Sequence, residues 1–152
     1  MNVEYQRLEA EAREVDRQIR EIADTTIVTS PAEHVQIERQ LSELYTKLRS
    51  LRHGMLLIRS VHSPKLLKCE RRFVKSLPRK FHSQGVRNKT VRLSGGVTVT
   101  LHITYYHRSK CPAKARQKSR RGLYPALMLL GISEGFTPEV RSRMAKTAAL
   151  LG

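Results

Sequence analysis

Apolar residues recur in alternating steps of four and three along the first third of the chain: Met1, Tyr5, Leu8, Ala12, Val15, Ile19 and Ile22. Glu, Arg, Gln and Asp fill the positions between them. This spacing predicts an a/d seam on one face of a helix of about three heptads. The pattern stops near Asp24, and the β-branched run Thr25-Thr26-Ile27-Val28-Thr29 reads as a connection. A second helix is expected from Ser30-Pro31-Ala32-Glu33. Ser30 can cap it, Pro31 suits the first helical position, and Glu33 can close a capping box. Ile37, Leu41, Leu44, Leu48, Leu51, Met55 and Ile58 continue the four-three step. Two helices with matching seams and a short link predict an antiparallel, coiled-coil-like hairpin over residues 1–60. Its seam serves either intrachain packing or a homodimer formed through residues 1–59.

The period then changes to two. Thr90-Val91-Arg92-Leu93 alternates, Ser94-Gly95-Gly96 signals a turn, and alternation resumes from Val97 to Tyr106. Val97, Val99, Leu101, Ile103 and Tyr105 fall on one face, with Thr98, Thr100, His102, Thr104 and Tyr106 on the other. This predicts a β-hairpin. Arg72–His82 offers a further strand, which Pro78 would confine to an edge. After residue 121, Gly122-Leu123-Tyr124-Pro125 reads as a turn into a short apolar helix ending near Gly131. Thr137-Pro138 opens another helix, with Val140, Met144, Ala148 and Leu151 as its apolar stripe. The expected class is α+β in three parts: a helical hairpin (1–60), a basic β unit with its connector (61–121), and short helices (122–152).

Charge sharpens this division. The chain of 152 residues carries a formal net charge of +16. Residues 1–60 net −1, residues 61–121 net +16 with Glu70 as their one acid, and residues 122–152 net +1. A zone of one sign repels itself when compacted, and a polyanion relieves that repulsion. Nucleic acid is the first partner this suggests, and an anionic membrane surface the second. The candidate phosphate-binding residues are Arg71, Arg72, Arg79, Lys80, Arg87, Lys89, Arg92, Arg108, Lys110, Lys114, Arg116, Lys118, Arg120 and Arg121. Lys65, Lys68 and Lys75 also flank the hairpin. Phe73, Phe81, Tyr105 and Tyr106 lie among them and suit either the core of a small sheet or stacking on bases.

The chemistry of small sites is sparse. His107-x-x-x-Cys111 has usable ligand spacing, and Cys69 with His62 or His82 offers further donors. No paired C-x-x-C accompanies them, so two reduced thiols and surface histidines are expected, without a metal. Two cysteines 42 residues apart make no disulfide scaffold. The patterns G-x-x-x-x-G-K-[ST], H-E-x-x-H and G-x-S-x-G are absent. Met1–Arg20 is charged throughout, unlike a secretory leader, and no apolar run approaches the roughly 18 residues of a membrane span. The expectation is a soluble, cytoplasmic and nucleoid-associated protein.

Three segments in order, KTVRLSGGVTVTLHITYYHR, RRGLYPALMLLGIS and TPEVRSRMAKTAALLG, resemble the N-terminal region of bacterial insertion-sequence transposases of the Kra type. The similarity covers roughly residues 87–152. It implies a DDE transposase in which a later RNase H-like domain holds divalent metal ions on three carboxylates. Here the aspartates are Asp16 and Asp24, both on the predicted helical hairpin, and the acids after residue 60 are Glu70, Glu134 and Glu139. The resemblance therefore implies a front portion without a cofactor of its own. It would be a truncated copy, a split frame or a separately encoded subunit, with element-end DNA and a separately encoded catalytic portion as partners. Many such proteins carry a cysteine pair after the two tyrosines. Arg108 stands where the first would fall, leaving Cys111 alone. The competing expectations are a stand-alone RNA-binding protein and a remnant or structural adaptor.

Overall fold

A computed structural model describes residues 2–108 and 122–151. The class is α+β, with five helices and a two-stranded antiparallel sheet among the described residues. The helices are α1 (Val3–Thr25), α2 (Pro31–Val61), α3 (Pro64–Ser76), α4 (Pro125–Leu129) and α5 (Pro138–Leu151), and the strands are β1 (Phe81–Arg92) and β2 (Thr98–Arg108). The chain forms two compact units. The first comprises Met1–Leu57 and Arg92–Val99, the second Ile58–Val91 and Thr100–Gly152. Charge changes sign at about residue 60, whereas the packing boundary assigns the tip of the β-hairpin to the helices.

In the first unit, Asn2 caps α1 by accepting from the Glu4 N–H at 2.8 Å. Leu8, Ala12, Val15 and Ile19, the middle of the predicted seam, are all buried; Met1 lies outside the described residues. The helices run antiparallel. Leu8 lies against Gly54, whereas Ile22 and Thr25 share a cleft with Gln40 and Leu44. At the start of α2 the Ser30 hydroxyl accepts from the Glu33 N–H at 3.2 Å, half of the expected capping box. The other half is displaced by one residue: the Glu33 carboxylate accepts from the Thr29 N–H at 3.0 Å and from its hydroxyl at 2.8 Å. These bonds hold the Glu33 carboxyl below the usual carboxylate range. The α2 seam is less covered, with Leu51 buried and Ile37, Leu41, Leu44 and Leu48 half-buried. The predicted turn is a single 3-10 turn, Ser94–Gly96, closed by the Leu93 N–H donating to the Val97 carbonyl at 2.8 Å. Gly95 and Gly96 take φ of 69° and 76°, the left-handed region that glycine enters without steric cost.

In the second unit the strand expected at Arg72–His82 is not formed. Pro64–Ser76 is helical, and only Phe81 and His82 of that stretch enter β1. The reason is local: Ser63 accepts from the Lys65 N–H at 3.2 Å and Pro64 occupies the first turn, so the helix is capped and started before the alternating residues arrive. It ends before Pro78, which restricts the preceding residue to extended geometry, and Leu77 has ψ 144°. Strand β1 reaches back well beyond Thr90, and His82–Thr90 are all exposed. Leu101 and Ile103 of β2 are buried, as their alternation requires. After α4 comes a tight turn in which Ser133 and Phe136 pair, and Thr137 precedes α5 as expected. Residues 141–150 of α5 are exposed, so the stripe through Met144 and Ala148 is not buried within the chain. The side chain of Leu151 lies outside the described set. Among the described residues no helix is long and apolar enough to cross a membrane.

Candidate nucleic-acid interface

Helix α3 has two unlike faces. Leu66, Phe73 and Val74 are half-buried and Glu70 is 4% exposed. Lys65, Lys68, Arg72 and Lys75 are exposed at spacings of three, four and three, which sets them in one row. At 1.5 Å rise per residue the row is ~15 Å long. Among the described residues none of these four makes an ion pair. The sequence reading put Arg71 and Arg72 of this helix among the phosphate-binding candidates and counted Lys65, Lys68 and Lys75 as flanking charges; the helix sets Arg72 in a row with the three lysines. The signal was present: Ser63-Pro64 repeats the Ser30-Pro31 pattern that marks the start of α2, and helical spacing then aligns the lysines.

Glu70 faces the interior of the unit. Its Oε1 is buried without a hydrogen-bond partner among the described residues. Burial pushes its carboxyl above the usual carboxylate range, with the Arg71 charge opposing. The Tyr106 phenol is raised as well, by burial first and then by the Glu70 charge, against Arg71.

On the hairpin, Arg87 and Lys89 project two residues apart along β1. The Arg87 guanidinium carbon lies 4.3 Å from the Tyr105 ring centre, and Lys89 Nζ lies 4.8 Å from that of Tyr124. The two rings are 5.0 Å apart at 45°. This is a cation-over-ring pair of pairs, which fixes the direction of both charges. Gly122-Leu123-Tyr124-Pro125 supplies the other side. The Leu123 and Tyr106 backbones exchange hydrogen bonds of 2.8 and 2.9 Å, and Pro125 is buried at the start of α4. A Cβ at Gly122 would sit 1.8 Å from the Tyr105 ring, so only glycine permits that ring its place. The tyrosines are therefore half-buried structural surfaces carrying cations, and their faces are partly occupied.

The remaining candidates are more dispersed. Arg79 and Lys80 are exposed between α3 and β1. Arg92 belongs to the first unit. Arg108 ends β2 half-buried, with its Nε lacking a partner among the described residues. Lys110, Lys114, Arg116, Lys118, Arg120 and Arg121 lie outside the described residues, as does Cys111. Cys69 is an exposed free thiol on α3. Among the described residues no group of three or more His, Cys, Asp or Glu is placed to hold a metal ion. Comparison with family models, curated proteins and solved structures yields no match to the chain.

Proposed function

We propose that this protein binds duplex DNA through the phosphate backbone, as the DNA-binding and assembly portion of a transposase of the resembled type. The observation that carries this reading is the cation row of α3, four side chains on one exposed face without ion-pair partners among the described residues. Arg87 and Lys89 add charges of fixed direction in the same compact unit. Charges so held lose little side-chain freedom on meeting phosphates, and each contact releases condensed counterions. Duplex DNA is favoured over single-stranded RNA because Tyr105 and Tyr124 already carry Arg87 and Lys89. A base would have to displace a cation to stack there. In this proposal the helical hairpin pairs protomers, and a separately encoded portion supplies the carboxylates and divalent metal for strand transfer.

The test is salt-dependent binding of a mixed-sequence duplex, read by fluorescence anisotropy. With about 6 phosphates contacted, log K falls against log salt with a slope of roughly −5. No duplex binding at ~50 mM salt overturns the proposal. Tighter binding of a single-stranded RNA competitor transfers it to RNA.

A further inference from the structure

We infer that the face of the β1–β2 hairpin turned away from Tyr105 reads base edges in the DNA major groove, through Asn88, His102 and Val86. The inference rests on the duplex-binding reading above and adds to it a location for sequence specificity. The tyrosine-side face of β1 carries Arg87 and Lys89. The opposite face presents Val86, Asn88 and Thr90, all exposed, and Val86 is 65% exposed. Val86 is the apolar member of this face, followed at two-residue steps by an amide and a hydroxyl. On β2, His102 is exposed between buried Leu101 and Ile103. Counting along both strands from the Leu93–Val97 turn bond sets Asn88 opposite His102. One amide, one imidazole and one apolar methyl pair thus share a two-stranded ribbon.

That combination matches the groove chemistry. The major groove is about 12 Å wide and admits a two-stranded ribbon. An asparagine amide pairs in bidentate fashion with adenine N6 and N7, an imidazole donates to or accepts from a base edge, and a valine methyl packs on the thymine methyl. Neutral side chains suit the groove floor and cations suit its walls. Arg87 and Lys89 alternate with Val86, Asn88 and Thr90 along β1, so cations leave the same strand from its other face.

The experiment is selection from a random-sequence duplex pool with the full chain, repeated with Asn88→Ala, Asn88→Asp and His102→Ala. Both positions are exposed, and circular dichroism checks that the variants fold. The expected result is a motif for the wild type in which each variant loses roughly ten- to a hundred-fold of preference at one or two adjacent base pairs. The slope against salt stays unchanged. An identical motif from the variants overturns the inference, as does uniform weakening on all sequences with a shallower slope. A wild type that binds duplex without a motif overturns the inference and leaves the proposed function standing. Absence of duplex binding overturns both.

Discussion

The two compact units handle charge in opposite ways. Helix α1 closes its charges on itself: Arg7 bridges Glu4 and Glu11, Arg13 pairs with Glu9, Arg17 bridges Glu14 and Glu21, and Arg20 pairs with Asp16. These i,i+3 and i,i+4 pairs are solvent-exposed and contribute little stability each, and every arginine of the helix is engaged in one. Helix α3 has helical spacing as regular as that of α1 and uses it to align like charges. Its one acid, Glu70, is turned inward and does not screen the row. The same secondary structure therefore gives paired charges in one unit and an aligned row of like charges in the other. The difference lies in what occupies the i+3 and i+4 positions.

The largest effect that tests this contrast is on stability. Leu8→Ala removes a fully buried side chain from the first unit and should cost about 3 kcal/mol in urea unfolding. Duplex affinity of the folded variant should stay unchanged, and a parallel loss of affinity would place part of the grip in the helical hairpin. Next in size is the simultaneous change of Lys65, Lys68, Arg72 and Lys75 to Gln. We expect roughly a hundred-fold weaker duplex binding and a salt slope shallower by about 3 to 4. The measurement is the same anisotropy titration, and an unaltered slope would dissolve the contrast by moving the grip to residues 108–121. The smallest effect concerns Glu70. Its folded-state pKa is raised above its unfolded value, so its contribution to stability is present at acid pH and is lost as pH rises through the folded pKa. Glu70→Gln should therefore raise the melting temperature near pH 7.5 and gain less near pH 4. Equal gains at both values would show that the buried charge is not the cause.

Legibility in the sequence followed the strength of each periodic signal. The seams of α1 and α2 and the alternation from Val97 to Ile103 were plain, because burial demands one residue type at a fixed step over many residues. The strand expected at Arg72–His82 failed because Phe73, Lys75 and Leu77 alternate only briefly. The start signal at Ser63-Pro64, ten residues upstream, had already committed the chain to a helix. The site was read as a bag of charges. Its order came from two things a charge count does not contain: the helical spacing of Lys65, Lys68, Arg72 and Lys75, and the long-range pairing that brings Tyr124 beside Lys89. The role of Gly122 was equally hidden, since it depends on a ring seventeen positions earlier in the chain.

The pairing of Tyr106 with Leu123 has one further consequence. The two exchanged hydrogen bonds make Leu123 a one-rung extension of the sheet beside β2, so the backbone entering α4 is held by strand pairing as well as by the burial of Pro125.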